Sequence, residues 1–332
     1  MTYLSLKESM AVVEEHDTKY QFVFSSSRKV KSFAVDPLVK KIIQTLEDPM
    51  THEDFTKEMS REFDPVCVQN AMNALEHEGI VRLRPDKRET LDRQLLFIDE
   101  YTNSWNETLQ KQKDLEQSSV LVLGLGGVGS WIAKGAYQLG IGTIGLLDPD
   151  RVELSNLNRQ CYSPSDIDKL KIDAMKNQLL GKNAHTYTLK IRSAADLKQI
   201  PYKYDLIVNC MDAPSVQQTS KWVDIFANET NTPYIVAGGY NLHIGMIGPM
   251  IIPGKTRTLD DFLTYQKQND SLANFQKLKD VEEGGNLGPV AGTIANLQSM
   301  EMFKYFTGIG ENNLNRFAEF NVMNYDIEWR NF

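Results

Sequence analysis

The chain has 332 residues, which is enough for two domains with separate hydrophobic cores. Its composition, 41% hydrophobic and 24% charged, is that of a globular protein, and no run of about 18 apolar residues indicates a membrane span. The net charge of −8 disfavours a nucleic-acid-binding surface, and the acidic N-terminal stretch lacks the apolar core of a signal peptide. We therefore expect a cytoplasmic protein that binds neither nucleic acid nor a membrane.

The N-terminal part of the chain has the pattern of a small α+β domain. The stretch QFVFSSSRKVKSFAVD alternates like two strands around a polar turn, which predicts a hairpin. Asp36 followed by Pro37 predicts the start of a helix, Thr51 the start of a second and Asp64 the start of a third. The third helix is expected to end at Gly79, before the strand IVRLR. Strands, three helices and a final strand are typical of a winged-helix domain.

Winged-helix domains most often bind DNA, but the charge of this one favours another role. Its third helix, VCVQNAMNALEHEG, contains neither Lys nor Arg, whereas a helix in the major groove needs positive charge for the phosphates. A peptide-binding or purely structural role is therefore the better hypothesis. The charged stretch RPDKRET predicts the domain boundary, so we assign residues 1–88 to this domain and residues 89–332 to the next.

The second domain alternates apolar runs of strand length with amphipathic helical stretches. Such buried, non-alternating strands predict a mostly parallel, Rossmann-like sheet with helices on both faces, so the predicted fold class is α/β. The polar segment 256–283, which precedes EGGNLGPVAG, is interpreted as a mobile crossover loop or lid.

A glycine-rich turn marks the predicted nucleotide site. The sequence GLGGVG follows an apolar strand and opens a helix, so its glycines allow phosphate to approach backbone N–H groups. These glycines are Gly124, Gly126, Gly127 and Gly129. Asp148 ends the next strand, where a carboxylate accepts hydrogen bonds from ribose hydroxyls. On these residues alone a nicotinamide-dependent dehydrogenase is favoured, because the same turn occurs in NAD and FAD enzymes.

Cationic and acidic residues behind this turn favour phosphate chemistry instead. Asn156 and Arg159 follow the ribose-binding position, and Lys171 begins the next helical stretch. A triphosphate needs cations that stabilise charge moving from the α-phosphate to pyrophosphate, and a nicotinamide ring does not. Asp212 ends a strand at the same edge of the sheet, and a carboxylate beside phosphates predicts a bridging Mg²⁺.

Each of these residues also has a plain structural interpretation. Arg159 could form a surface salt bridge, Lys171 could be a solvated helix residue, and Asp212 could be the N-cap of a helix that begins after Ala213 and Pro214. The functional interpretation depends on their occurring in this order around one glycine turn.

The sequence resembles the ThiF/MoeB/ubiquitin-activating superfamily. The likeness is carried by the motifs GxGGxG and DxDxVxxSNLxRQ, followed by a Lys at a helix start and an Asp after a strand. The resemblance covers residues from about 90 to about 325. It implies an ATP-dependent adenylyltransferase in which Asp148 binds ribose and Asp212 binds Mg²⁺. By the same resemblance, the triphosphate contacts are Asn156, Arg159 and Lys171.

The resemblance also bears on quaternary structure. Members of the superfamily have an arginine ahead of the first strand that reaches the ATP bound by the partner subunit. Here the matching residue is Arg93 in LDRQLLF. If this role transfers, the active form is a homodimer with composite sites. The alternative is an ordinary surface arginine.

Cysteine content separates this sequence from several relatives. Many of them hold a structural zinc with two CxxC pairs, but the three cysteines here (Cys67, Cys161 and Cys210) form no such pair, so zinc is not expected. Segment 256–283 contains no cysteine, which disfavours a thioester cascade of the ubiquitin type. Cys161 and Cys210 are predicted to be buried packing thiols.

Among members of the superfamily, the sequence most resembles the microcin-type peptide nucleotidyltransferases. The stretches PYIVAGGYNLHIGMIGPMIIPGKT and GPVAGTIANLQSMEMFKYFTG carry this likeness. It implies that residues 1–88 hold a precursor peptide, partly by strand addition, while its C-terminal carboxylate attacks the α-phosphate. A carboxylate is already ionised, so no histidine base is needed, and of the five histidines only His243 is a candidate to face substrate.

Two alternatives remain at this stage. One is a non-catalytic protein that recruits a peptide to a cyclodehydratase. The other is an adenylyltransferase for a sulfur carrier. The sequence leaves open whether the nucleobase is adenine or another, such as cytosine. It also leaves open whether the acyl nucleotide is product or intermediate.

Overall fold

The structure is a computed structural model, and it describes residues 2–16, 18–25, 28–85, 92–269, 285–311 and 313–332. The chain divides into two compact units, residues 1–113 and 114–332. The domain boundary between residues 88 and 89 stays a prediction. Within the described ranges, no helix combines the length and the apolar character needed to cross a bilayer.

Among its described residues, the first unit contains two three-stranded antiparallel sheets and five helices, and the first three helices pack with the sheets around one core. Its elements are β1 (Thr2–Leu6), β2 (Met10–His16), β3 (Lys19–Phe24), β4 (Lys29–Ala34), α1 (Pro37–Thr45), β5 (Met50–Thr51), α2 (His52–Met59), α3 (Pro65–His77), β6 (Val81–Pro85), α4 (Asp92–Asp99) and most of α5 (Trp105–Gln117). One sheet has the order β5-β1-β6 and the other the order β2-β3-β4. Phe22, Ile42, Leu46 and Met59 belong to the core.

The three predicted helix starts are confirmed, and each has its capping hydrogen bond. The Asp36 carboxylate accepts from the N–H of Val39 at 2.8 Å, and the Asp64 carboxylate accepts from the N–H of Val66 at 2.9 Å. The hydroxyl of Thr51 caps α2 in the same way. Each cap satisfies a backbone donor that the helix leaves without a partner.

The second unit is built on a six-stranded sheet with helices on both faces. Its elements are β7 (Ser119–Leu123), α6 (Gly127–Gln138), β8 (Thr143–Leu147), α7 (Lys171–Gln178), β9 (Asn183–Tyr187), α8 (Ala194–Leu197), β10 (Leu206–Asn209), α9 (Val216–Thr230), β11 (Tyr234–Val236), β12 (Tyr240–Asn241), β13 (Ile244–Ile247), β14 (Met250–Ile251), α10 (Leu259–Asn269), α11 (Gly288–Thr307), β15 (Arg316–Asn321) and β16 (Asp326–Asn331). The strand order is β14-β11-β10-β7-β8-β9, and only β14 runs antiparallel to its neighbour. The predicted α/β fold class is confirmed.

A second sheet of order β12-β13-β15-β16 packs against α11. Ile247, Ile294, Ala318 and Phe320 form the buried layer between them. The N-terminal end of α11 thereby lies close to the glycine turn, because Ala291 in its first turn approaches the position of a Cβ on Gly127 at 3.8 Å.

The first half of segment 256–283 contains a helix, although the whole segment was predicted to be a loop. Residues 259–269 form α10, and the side chains of Leu259 and Phe262 are buried in the core of the second unit. The ring of Phe262 packs edge-on against Phe317 at 5.1 Å and Phe332 at 5.3 Å. Few residues of α10 are apolar and long polar stretches separate them, so the sequence of this helix resembles that of a loop. Residues 270–284 lie outside the described residues, and a lid there stays a prediction.

Replacing Asp64 with alanine should loosen α3, because the N–H groups of Val66 and Cys67 lose their common acceptor. We expect a loss of about 1 kcal/mol in local stability, whereas Asp64→Asn should cost much less because it keeps an acceptor oxygen. Hydrogen exchange of the α3 amides measures this difference. Equal protection in the alanine variant and the natural protein would contradict the capping role.

Candidate active site

A cavity of about 640 Å³ opens at the carboxyl ends of the parallel strands in the second unit. It lies where the chain changes direction in the sheet, because β7 has β8 on one side and β10 on the other. Ligands of open α/β sheets bind at such a reversal point. The loops that follow β7, β8 and β10 contribute Gly126, Asp148 and Asp212 to its wall. The structure therefore brings the predicted residues of the second unit together in one place.

The glycines of the turn have two separate tasks. Gly124 has a φ of +84°, and a Cβ on Gly129 would lie 1.9 Å from the carbonyl oxygen of Gly124, so both are required by the fold. A Cβ on Gly126 would meet no atom within 4 Å, so this glycine leaves space open towards the cavity. Gly126 is the N-cap of α6 and supplies no side-chain cap, which leaves the first N–H groups of the helix available for an anion.

Asp148 is held rigidly at the end of β8. Asp148 is only 4% exposed, and its Oδ2 accepts a hydrogen bond from the N–H of Leu125 at 2.7 Å. Its Oδ1 accepts from the N–H of Asp150 at 2.8 Å. Burial raises the pKa of this carboxyl, although the charge of Lys171 and the two N–H donors oppose the rise. Each oxygen keeps a further lone pair, so the carboxylate is suited to accept hydroxyl donors from a ribose.

Lys171 is the first residue of α7, as predicted, and its ammonium group is buried in the cavity wall. Its Nζ lies 3.1 Å from Asp150 and 3.8 Å from Asp148. The interpretation of Lys171 as a solvated helix residue is therefore wrong. The two carboxylates pair with the buried ammonium in the cavity wall, where it is positioned for an anionic ligand.

Asn156 and Arg159 lie in the turn that follows the β8 loop. Asn156 is buried, and its Oδ1 accepts from the N–H of Glu153 at 3.1 Å, which closes a capping box. Nη1 of Arg159 donates to the carbonyl of Ser155 at 2.8 Å and to Asn158 at 3.0 Å. Among the described residues, no carboxylate pairs with Arg159, so the surface salt-bridge interpretation has no support.

The segment that contains Arg159 is fastened to the first turns of α6. The indole N–H of Trp131 donates to the carbonyl of Arg159 at 3.0 Å, and the N–H of Cys161 donates to the hydroxyl of Ser130 at 3.0 Å. On the other side, a Cβ on Gly288 would lie 2.5 Å from the carbonyl oxygen of Asn158, so α11 packs closely here. Arg159 is thereby fixed between two helix N-termini.

Asp212 lines the cavity three residues after β10, and its residue is exposed. The N-cap of α9 is Ser215, whose hydroxyl accepts from the N–H of Gln218 at 3.2 Å. The interpretation of Asp212 as a helix cap is therefore wrong, and its carboxylate is free to serve another ligand. Within the described part of the chain, no group of three His, Cys, Asp or Glu residues could hold a metal. A lone carboxylate fits Mg²⁺, which takes one or two carboxylates and completes its shell with phosphate and water.

Several lining residues were not predicted from the sequence. They include Gln160, Leu189, Ile191, Met211, Val216, Tyr240 and Asn286. Gln160 and Met211 adjoin predicted residues, so proximity in sequence was a usable signal. Tyr240 and Asn286 come from β12 and from the residues before α11, where no motif marked them.

Four other residues also carry predictions from the sequence. Arg93 is exposed near the start of α4 in the first unit, and its role across a dimer stays a prediction. His243 is exposed in the turn between β12 and β13 and is not among the described residues that line the cavity. Cys161 and Cys210 are half-buried, and burial raises the pKa of both thiols, which disfavours a nucleophilic role.

The profile of the ThiF family matches residues 91–332. This chain belongs to the ThiF family. The predicted resemblance is confirmed, and the glycine turn, Asp148 and Lys171 all lie within the matched residues.

Curated relatives include the adenylyltransferase and sulfurtransferase uba4 of Emericella nidulans, 33% identical over 61% of this chain and 42% of the relative. Another is the adenylyltransferase and sulfurtransferase MOCS3-2 of Zea mays, 29% identical over 66% of this chain and 44% of the relative. The match spans less than half the length of these relatives.

Solved structures share the fold of this ThiF-family chain over nearly its whole length. A crystal structure of E. coli MccB with ATP superposes with a TM-score of 0.71 at 22% identity, covering 100% of this chain and 97% of MccB. A structure of PaaA superposes with a TM-score of 0.72 at 19% identity, covering 98% of this chain and 99% of PaaA. At these identities the likeness establishes the architecture of both units.

Two alanine substitutions in the glycine turn should have opposite consequences. Gly129→Ala places a Cβ against the carbonyl of Gly124, so we expect a lower melting temperature of the second unit. Gly126→Ala meets no protein atom and should leave stability unchanged, but it narrows the approach to the N–H groups of α6. We expect roughly tenfold weaker binding of Mg·ATP by Gly126→Ala. Thermal melting and calorimetric titration measure the two effects, and unchanged affinity in Gly126→Ala would contradict the anion-binding role.

Proposed function

We propose that this protein is an NTP- and Mg²⁺-dependent nucleotidyltransferase, with ATP as the first candidate donor. It transfers a nucleotidyl group to the C-terminal carboxylate of a ribosomally made precursor peptide and releases pyrophosphate. The observation that carries this proposal is the buried ammonium of Lys171, held beside the buried Asp148 in the wall of a cavity at the N-terminus of α6.

The distribution of charge in the cavity supports phosphate chemistry over redox chemistry. Arg159 uses Nη1 for its contacts to Ser155 and Asn158, and no hydrogen bond within the described residues occupies its Nε or Nη2. That free edge suits two phosphate oxygens. Lys171 supplies a second cation, and Asp212 supplies a ligand for Mg²⁺.

The proposed reaction needs positioning and charge stabilisation. An oxygen of the peptide carboxylate forms a bond to the α-phosphorus, and the bond from that phosphorus to the pyrophosphate oxygen breaks. Negative charge moves onto pyrophosphate, where Arg159 and Lys171 would stabilise it. Asp212 would hold Mg²⁺, which would supply further positive charge when bound. The attacking carboxylate is already ionised near neutral pH, so no general base is required.

The first unit has a free strand edge that suits a peptide. Within the described residues, β4 pairs only with β3, so its other edge has unpaired backbone groups for strand addition. The Lys31 ammonium on β4 pairs with Glu78 beyond the end of α3, at 2.7 Å. A structure of MccB is described as a complex with N-formylated MccA, which supports a peptide as substrate class for the present chain.

The rival functions have different support. The curated relatives are named adenylyltransferases and sulfurtransferases, and one of them is 33% identical over 61% of this chain. These names favour the sulfur-carrier alternative. A non-catalytic recruiter would have no need for the set Asp148, Asn156, Arg159, Lys171 and Asp212.

We propose that the active form is a cytoplasmic homodimer without a structural zinc.

Asp212→Ala should reduce pyrophosphate release by at least about 100-fold, because Mg²⁺ loses its only predicted protein ligand. Peptide binding should remain unchanged. The assay combines the protein, Mg²⁺, each NTP in turn, and candidate peptides or a sulfur-carrier protein. Asp173→Ala, which removes an exposed carboxylate outside the cavity, is the matched control and should retain full turnover.

Release with a carrier protein alone would favour the sulfur-carrier function. No release with any acceptor, together with no NTP binding, would refute the enzyme proposal. Full turnover by Asp212→Ala would remove the magnesium assignment.

Subunit mixing tests the role of Arg93. If Arg93 completes the site of the partner, the inactive variants Arg93→Ala and Asp212→Ala should complement each other. Random 1:1 mixing gives half heterodimers, and each has one intact site, so about one quarter of natural activity should return. No recovery in a mixture shown by mass measurement to contain heterodimers would contradict the role in trans.

A further inference from the structure

We propose that Gln160 is a further binding group of the nucleotide site and that its carboxamide donates a hydrogen bond to a phosphate oxygen. The proposal rests on the nucleotide-binding function proposed above. It concerns a residue that the motif comparison does not assign to any ligand.

The first observation is that Gln160 has an unpaired polar atom in a buried position. The residue is only 6% exposed, and its Oε1 has no hydrogen-bond partner within the described residues. An unpaired buried polar group costs roughly 1–3 kcal/mol, and native proteins leave few such groups. Gln160 also lines the cavity. The unpaired atom is an acceptor, so a bound phosphate can use this carboxamide only when the NH₂ group is turned towards the cavity.

A second buried glutamine, Gln298, differs from Gln160 in the hydrogen bonding of its carboxamide. Gln298 on α11 is fully buried, and both ends of its carboxamide are paired. Its Oε1 accepts from the N–H of Gly248 at 3.1 Å, and its Nε2 donates to the carbonyl of Met246 at 3.0 Å. Gln298 has a structural role, and the contrast identifies Gln160 as the glutamine with unused hydrogen-bonding capacity.

The position of Gln160 selects the phosphate end of the nucleotide. The residues on either side of it, Arg159 and Cys161, are both hydrogen-bonded to the first turns of α6, through Trp131 and Ser130. That end of α6 presents the free N–H groups of the glycine turn. Its helix dipole also favours negative charge.

Electrostatics decides which end of the carboxamide faces the ligand. Rotation about the last side-chain bond can present either the oxygen or the NH₂ group to the cavity. A phosphate oxygen accepts hydrogen bonds and does not donate them, so the NH₂ group is the end that binds. A ribose hydroxyl could instead donate to the oxygen, and the substitutions below separate these two cases.

The test compares three variants by calorimetric titration with Mg²⁺ and an α,β-methylene NTP analogue, and by melting of the ligand-free protein. Gln160→Met removes the carboxamide, with its unpaired Oε1, at similar volume, so its melting temperature should be equal or higher while Kd rises about tenfold. Gln160→Glu places an acceptor near phosphate and should weaken binding further. The matched control, Gln298→Met, should lower the melting temperature and leave Kd unchanged.

A Kd within twofold of the natural value in Gln160→Met would overturn the proposal. So would a Gln160→Glu variant that binds as tightly as the natural protein, because that result identifies an acceptor for a ribose hydroxyl. A natural protein that binds no NTP would overturn the proposed function itself, and the two failures are therefore distinguishable.

Discussion

One buried carboxylate fixes the geometry of the cavity. Asp148 accepts the N–H of Leu125 in the glycine turn and the N–H of Asp150 in its own loop, and it lies 3.8 Å from the ammonium of Lys171 on α7. Three separate segments of the chain are thereby held at one point. Burial raises the pKa of this carboxyl, while the charge of Lys171 and the two backbone donors stabilise its ionised form and oppose the rise. The ligand-binding loops depend on this one side chain for their mutual spacing.

The rest of the wall is built by close helix contacts. The segment around Arg159 is hydrogen-bonded to α6 and packed under the first turn of α11, so both helix N-termini face the region where phosphate is proposed to bind. Lys171 is neutralised by Asp148 and Asp150 before any ligand arrives. Under the proposed function, an incoming triphosphate competes with these carboxylates for the cation, and a bound Mg²⁺ would offset the resulting excess of negative charge.

The sequence alone predicted the parts of the site that depend on local structure. Gly124, Asp148 and Lys171 lie at strand ends and a helix start, and such positions follow from the alternation of β and α elements. Tyr240 and Asn286 could not be assigned, because their places in the cavity wall depend on which distant segments meet there. Helix α10 was missed because a single narrow row, Leu259 and Phe262, anchors it to aromatic side chains from the C-terminal strands.

The separation of Ser215 from Asp212 has an evolutionary consequence. Ser215 alone caps α9, so the fold places no demand on the carboxylate three residues earlier. Under the proposed function, a single substitution at Asp212 removes catalysis while the cap of α9 stays unchanged. A non-catalytic protein that keeps the proposed peptide-binding role of the first unit is then one substitution away and needs no compensating change in the helix.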